Sequence, residues 1–130
     1  MKINLRHPVA LTAAAVLAAT VATISPASAE GSWSSHITNW SGGEESRRWR
    51  DTHADSASTT VSFSRCNFDG ATGSALNLYR VRDLLPDVSI GGRTNTCNTV
   101  SWGQIQTSGS YYFQYGSGHL LTVGSVVTSY

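Results

Sequence analysis

Residues 59–65 have the sequence Thr-Thr-Val-Ser-Phe-Ser-Arg, and this stretch decides the fold class. Thr59, Val61 and Phe63 alternate with more polar residues, so an extended chain would place these three side chains on one face. Strict alternation over this length is typical of a half-buried strand and not of a helix. The stretch therefore predicts a β-strand with one face toward a core.

Similar strand signals recur along the rest of the chain. We predict further strands at 46–51, 75–82, 95–102, 110–115 and 120–130, and a connection at 84–92 that contains the Gly91-Gly92 pair. Turn-forming residues separate these stretches, and no long segment after residue 29 has helical periodicity. The pattern predicts an all-β fold, a small antiparallel β-sandwich of the immunoglobulin-like or a related type.

The stretch Ser108-Gly-Ser-Tyr111 leads directly into a strand with aromatic side chains at Tyr111, Phe113 and Tyr115. In immunoglobulin-like sandwiches, a tyrosine near the start of a late strand hydrogen-bonds back across the corner. Here no cysteine follows Tyr111 after two residues, so the antibody arrangement is absent. Two interpretations stay open, an ordinary aromatic core residue or a tyrosine corner.

The first 29 residues resemble a secretory signal peptide. Lys2 and Arg6 give it a positive start, an apolar run of about 16 residues follows, and Ala27-Ser28-Ala29 fits a cleavage site. The run is shorter than the roughly 20 residues that a spanning helix needs. We expect a signal peptide at 1–29, an N-terminal arm at 30–45 and a β-sandwich domain at 46–130, in a secreted, extracellular protein without a membrane span.

The charge content excludes one class of partner. Charged residues make up 13% of the 130 residues and the formal net charge is +1, whereas globular proteins average about 25% charged residues. Cleavage after Ala29 would remove the only lysine. Because non-specific nucleic-acid binding needs a basic surface, we expect no nucleic-acid partner.

The chain has two cysteines, Cys66 and Cys97. An even count in a small exported domain favours a disulfide bond. The alternatives are a catalytic thiol or a metal pair, but the two cysteines are far apart and lack the Cys-x-x-Cys spacing of metal sites. We predict a Cys66–Cys97 disulfide.

The segment 30–43 differs from the rest because two tryptophans stand among serines and glycines. Trp33, Ile37 and Trp40 have the spacing of one helical stripe, although an extended arm is equally compatible. These side chains must pack either on their own domain or on another protein. Tryptophan is favoured at the centres of protein interfaces, so we predict Trp33, Ile37 and Trp40 as partner-binding residues, with docking on the chain's own sheet as the alternative.

Signatures of catalysis are missing from the sequence. It contains no Gly-x-Ser-x-Gly elbow and no His-Glu-x-x-His motif. Asp51, His53 and Asp55 are the best metal-ligand candidates because alternate residues of a strand share a face, but such a triple is more often a solvated strand end. We expect that the protein is not an enzyme and that it binds no cofactor and no metal.

Residues 46–51 have the densest local charge, with Arg47, Arg48 and Arg50 around Trp49. Arginine forks and an indole ring together suit an anionic glycan or a phosphate. The simpler interpretation is that Trp49 belongs to the core and the arginines pair with nearby carboxylates. We keep the three arginines as a secondary surface candidate.

Several loosely spaced motifs run through the region after the signal. They are Ser-Arg-x-Trp-x-Asp ending at Asp51, Thr-Thr-Val-x-Phe-x-x-Cys ending at Cys66, Cys-x-x-Val-x-Trp-Gly ending at Gly103, Gly-x-Tyr-Tyr-Phe ending at Phe113, and Val-x-x-Tyr ending at Tyr130. This layout resembles small secreted actinobacterial β-rich proteins with one disulfide. Among them it is most similar to the adaptor subunit of the umbrella toxin particles.

The resemblance implies a function. In that family the adaptor joins a large toxin chain to a lectin-like subunit, and its N-terminal extension inserts into the lectin-like partner. By this likeness the protein would be a secreted, non-enzymatic adaptor of an antibacterial toxin complex, with residues 30–43 as the inserted arm. The alternative is a stand-alone secreted effector: a bacteriocin, a carbohydrate-binding module, or a protease inhibitor with an exposed loop at 84–94.

Overall fold

The computed structural model describes residues 29–130, so the predicted signal peptide lies outside the described residues except for Ala29. Every regular element in this region is a strand. The strands are β1 (Ser32–Trp40), β2 (Trp49–Asp51), β3 (Thr60–Asn67), β4 (Ser74–Arg80), β5 (Val88–Asn95), β6 (Thr99–Ser101), β7 (Gly109–Tyr115) and β8 (Leu121–Ser129).

The strands form two four-stranded antiparallel sheets. The β1 sheet has the order β1-β8-β3-β6, and the β2 sheet has the order β2-β7-β4-β5. Among the described strands, β4 and β5 are the one pair of chain neighbours that also pair within a sheet. At each other connection the chain crosses between the sheets. The predicted all-β antiparallel sandwich is therefore confirmed.

The alternating pattern of residues 59–65 has the predicted outcome. Thr59, Val61 and Phe63 are buried, whereas Ser64, whose side chain is on the other face of β3 from Phe63, is exposed. In β4 and β7 the side chains of Leu76, Leu78, Tyr111, Phe113 and Tyr115 are likewise in the core. Burial of each such side chain contributes roughly 1.5–3 kcal/mol.

The N-terminal segment is not a free arm. Residues 32–40 form β1, which pairs antiparallel with β8 from Ser32 opposite Ser129 to Trp40 opposite Leu121. Ile37 is 3% exposed and Trp33 is 8% exposed, both within the hydrophobic core. The Glu30 carboxylate also accepts hydrogen bonds from the backbone N–H groups of Thr52 (2.9 Å) and Ala54 (3.1 Å).

The predicted boundary between an arm at 30–45 and a domain at 46–130 is therefore wrong, and the docked alternative is correct. The physical reason is aromatic packing across the two sheets. The ring of Trp33 stacks on Phe113 of β7 at 6.1 Å between centroids and lies 5.9 Å from the ring of Trp49. Trp40 lies 6.2 Å from Phe113. Removing this apolar surface from water outweighs the polar composition of the segment.

One strand was missed by the sequence analysis. The predicted connection at 84–92 and the predicted strand at 95–102 are replaced by β5, which begins at Val88, and by the short β6. Gly91 and Gly92 misled the prediction because glycine is depleted in strands. Here Gly91 has a φ of +133° and lies beside an irregularity in the β4–β5 register, where glycine is the residue with least strain.

The predicted disulfide is confirmed, with Cys66 and Cys97 joined and their Cα atoms 5.8 Å apart. It links β3 to the turn between β5 and β6. Asn95, fully buried, organises this turn. Its Oδ1 accepts from the backbone N–H groups of Cys97 (2.9 Å) and Asn98 (3.0 Å), and its Nδ2 donates to the carbonyls of Asn98 (2.9 Å) and Val61 (3.2 Å).

Of the two interpretations of Tyr111, the structure supports the corner. Its ring is fully buried, and its hydroxyl donates to the backbone carbonyl of Thr107, four residues upstream. Burial raises the pKa of this hydroxyl. The bond fixes the loop that enters β7, as in immunoglobulin-like sandwiches.

Candidate binding surfaces

The predicted partner-binding residues meet at one side of the sandwich. The edge strands β1 and β2 lie on this side, and between the two sheets there is a small cleft of about 70 Å³. Trp33, Ile37, Trp40 and Arg47 all line it, together with Phe113. The structure thus brings together the three predicted apolar residues, as the wall of a cleft and not as an arm.

One residue of the cleft wall has an unpaired hydrogen-bond donor inside the protein. Trp33 lines the cleft, and the indole Nε1–H of Trp33 is buried without an acceptor among residues 29–130. Buried polar groups nearly always have a partner, and an orphan costs about 1–3 kcal/mol. Because this nitrogen has almost no exposed surface, the unpaired donor belongs to the core and not to the open cleft.

The three arginines of the secondary surface candidate do not form one patch. The guanidinium carbon of Arg47 lies 5.4 Å from the Trp33 ring centroid, and that of Arg48 lies 5.2 Å from the ring of Tyr112. Arg50 is exposed on β2. Trp49 between them is a core residue, as the simpler interpretation held. Arg47 and Arg48, however, lie over aromatic rings and form no ion pair with a carboxylate of residues 29–130.

The acidic candidates have local structural roles. Oδ1 of Asp51 accepts from the backbone N–H of His53 and Oδ1 of Asp55 from that of Ala57, both at 2.8 Å. These are Asx turns, in which a carboxylate replaces a backbone acceptor. Within residues 29–130 no three His, Cys, Asp or Glu side chains are grouped as metal ligands. Likewise, that part of the chain has no helix long and apolar enough to cross a bilayer.

A second exposed surface lies at the loop between β4 and β5, residues 81–87, which overlaps the predicted inhibitor loop at 84–94. The loop exposes two adjacent large apolar side chains, Leu84 at 104% and Leu85 at 59%. Leu84 also has a φ of +58°, which is uncommon for a residue with a branched side chain. The signal in the sequence was the Leu-Leu-Pro run between two aspartates. Since residues 88–95 form β5, the predicted inhibitor loop at 84–94 is a loop only up to Asp87.

Hydrogen bonds within the leucine loop (81–87) and from Tyr112 hold the loop in one conformation, and we call the two bonds of Asp87 the Asp87 brace. Asp87 accepts from the backbone N–H of Arg82 (3.0 Å) and from the hydroxyl of Tyr112 (2.7 Å), and Arg82 Nε donates to the carbonyl of Pro86 (2.9 Å). The Tyr112 hydrogen bond is the main cause that lowers the pKa of Asp87. Burial, aided by the same bond, raises the pKa of Tyr112. Two exposed leucines are thus held on a fixed loop.

The Asp87 brace predicts a pH dependence of stability. Because the pKa of Asp87 is lowered by folding, its stabilising contribution is present above the unfolded pKa of about 3.9 and is lost as pH falls through the folded value. We expect Asp87→Asn to have a lower Tm than wild type at pH 7 and a smaller further decrease between about pH 4 and pH 2. Thermal unfolding followed by circular dichroism measures both.

The matched control is Asp83→Asn, in the same loop. The Asp83 side chain is exposed and has no hydrogen bond with the other described residues. An Asp83→Asn profile identical to that of Asp87→Asn would show that the loop charge, and not the Asp87 brace, causes the acid effect.

Comparisons with protein-family models, with curated proteins and with solved structures find no match for this chain. The resemblance to umbrella-toxin adaptors accordingly stays a prediction that rests on the sequence motifs.

Proposed function

We propose that this protein is a secreted, non-enzymatic protein-binding domain that acts as an adaptor subunit of an extracellular antibacterial toxin complex. The observation that carries the proposal is the cleft between β1 and β2, where an apolar wall meets the edge of a nine-residue strand that no other described strand pairs with. The motifs that resemble the adaptor family and the signal-like first 29 residues add to it.

The cleft suits an extended segment of another protein. A strand that adds to the free edge of β1 would use main-chain hydrogen bonds for affinity and side-chain pockets for specificity. One apolar side chain of the partner would enter the cleft beside Trp40. Under this proposal the segment 30–45 still binds the partner, but as part of the folded sheet.

An adaptor needs a second surface, and the leucine loop is suited to this role. Leu84 and Leu85 are exposed on a loop that hydrogen bonds already hold in one conformation. Binding of a partner would therefore cost little conformational entropy in the loop. The cleft and the leucine loop share no residue, which would let two partners bind at once.

The test is co-purification of the tagged, secreted protein from culture medium of its source organism, with quantitative mass spectrometry. Two variants target the two surfaces. Ser35→Tyr adds a large side chain at an exposed residue that lines the cleft. The double change Leu84→Ser with Leu85→Ser removes the two exposed leucines of the leucine loop. We expect each variant to lose at least tenfold of one partner, a different one in each case, since a central hot spot is worth about 2 kcal/mol or more.

Matched controls place the same changes elsewhere. Ser64→Tyr adds a tyrosine on the exposed face of β3, and Leu120→Ser removes another exposed leucine. Surface changes of this kind alter stability by about 0.5 kcal/mol or less, so both controls should retain both partners. If wild type co-purifies with no protein, or if both variants retain all partners, the adaptor proposal is wrong and a lone effector is the better description.

A further inference from the structure

The edge of β1 that faces away from β8 is open to a further strand. β1 pairs with β8 on one side, and no other described strand pairs with it. Residues 32–35 pair with β8 in an unbroken register, and irregularities begin after Ser35. Residues 32–40 contain no Lys, Arg, Asp, Glu or Pro, which proteins use to protect exposed sheet edges. The stretch 32–35 is therefore the part of the edge best suited to pairing.

The cleft lies beside this edge, in the gap between the two sheets. Its aromatic wall is continuous, because the ring of Phe113 lies 6.1 Å from that of Trp33 and 6.2 Å from that of Trp40. Alternate residues of a strand share a face, so every second side chain of a strand added to β1 would point into the gap. Two side chains two positions apart would enter it together, about 7 Å from each other.

The volume of the cleft limits the apolar side chain that it can hold. A cavity of about 150 Å³ accommodates benzene, whereas this cleft has about 70 Å³. Ile37 and Val126 add aliphatic walls to the aromatic ones. The group that fits is therefore aliphatic and about the size of a valine side chain, and an aromatic ring is too large.

Arg47 carries the one permanent positive charge among the residues that line the cleft. Its side chain is exposed, and its guanidinium carbon lies 5.4 Å from the centroid of the Trp33 ring. Trp33 belongs to the stretch 32–35, so the charge lies beside the part of the edge that can pair. Contact with a ring face does not use the N–H groups of a guanidinium, and those of Arg47 have no acceptor among residues 29–130.

No carboxylate of the described chain neutralises Arg47. Glu44 and Glu45 precede it closely in the chain, but neither forms an ion pair with it. Oε2 of Glu44 instead accepts from the Ser41 hydroxyl at 3.3 Å. A guanidinium that lies over a ring and has free N–H groups is suited to bidentate binding of a carboxylate. Charge complementarity therefore favours an acidic residue in the partner.

We propose that the strand that adds to β1 carries a valine-sized aliphatic residue and, two positions away, an Asp or a Glu. The aliphatic side chain fills the cleft, and the carboxylate pairs with Arg47. This inference rests on the proposed function, from which it takes the added strand, and it adds the chemistry of the partner segment. Arg48 and Arg50 do not share the role, because neither lines the cleft.

The experiment measures fluorescence anisotropy of labelled, capped heptapeptides with the secreted protein at about 0.15 M salt, where non-specific charge effects are largely screened. The probes are Thr-Thr-Val-Thr-Glu-Thr-Thr and Thr-Thr-Glu-Thr-Val-Thr-Thr, which cover both strand directions. Each is also made with Gln for Glu and with Phe for Val. We expect one acidic probe to bind with a Kd between about 10 μM and 1 mM, and its Gln and Phe versions at least tenfold more weakly.

Variants of Arg47 test the ion pair directly. Arg47→Gln should abolish the preference for glutamate over glutamine, and Arg47→Glu should reverse it in favour of a peptide with Lys in place of Glu. Arg50→Gln, at an exposed arginine of β2 outside the cleft, is the matched control and should keep the full preference. Because both arginines are exposed, the Tm of each variant should stay close to that of wild type.

Two kinds of failure are distinguishable. Equal binding of the glutamate and glutamine peptides, or a preference that survives Arg47→Gln, overturns the inference and leaves strand addition at β1 standing. If no peptide binds at about 1 mM, both strand addition and the acidic preference are wrong. The co-purification experiment then still decides, by itself, whether the protein is an adaptor.

Discussion

Deletion of residues 30–40 is expected to unfold the domain. The deletion removes β1, exposes the long edge of β8 and takes Trp33 and Ile37 out of the core. Large-to-small changes at buried Ile and Trp cost about 2–5 and 3–5 kcal/mol respectively, and a domain of this size has a total stability of about 5–15 kcal/mol. We expect circular dichroism and proteolysis to show an unfolded chain.

A pair of single variants separates this effect from a general intolerance of change in β1. Ile37→Ala should lower the free energy of unfolding by about 2–5 kcal/mol, whereas His36→Ala, at the exposed neighbour, should change it by about 0.5 kcal/mol or less. Urea titrations measure both. If the deletion retained a cooperative transition with an unchanged midpoint, residues 30–40 would be an arm after all and the sheet assignment would be wrong.

Asn95→Ala is expected to be the most damaging single polar substitution. The Asn95 side chain makes four hydrogen bonds from a fully buried position. At about 1 kcal/mol for each bond, the loss is about 4 kcal/mol. For a chain of this length that corresponds to a Tm decrease of roughly 15–30 °C.

The structural reason is that Asn95 connects three features at once. It bonds to the carbonyl of Val61 in the other sheet, and it closes the turn in which Cys97 has a φ of +71° and forms the disulfide. Asn98→Ala is the matched control in the same turn. Asn98 Oδ1 accepts one bond, from the exposed Thr96 N–H at 3.1 Å, so its loss should cost about 1 kcal/mol. Equal effects of the two variants, measured by thermal unfolding, would refute the role given to Asn95.

The two proposed binding surfaces were not equally predictable from the sequence. Trp33, Ile37 and Trp40 stood out because large apolar residues in a polar segment must be covered by something. What covers them could not be predicted, because the sequence pattern of a docked edge strand is the same as that of an arm. The leucine loop was predicted as part of an exposed loop at 84–94, but its true bounds and its fixed conformation depend on the Arg82 and Asp87 brace, which joins residues through the fold.

The sequence by itself determined the fold class, the inward face of β3, and the pairing of its two cysteines. These follow from local alternation and from residue types, which act over a few positions. The tertiary structure alone decided that β1 belongs to the sheet, that Gly91 and Gly92 lie within a strand, and which strands are neighbours. Because nearly every connection crosses between the sheets, the partners of each strand are distant in the chain. Distant pairings depend on how whole faces fit together, as Trp33 fits against Phe113.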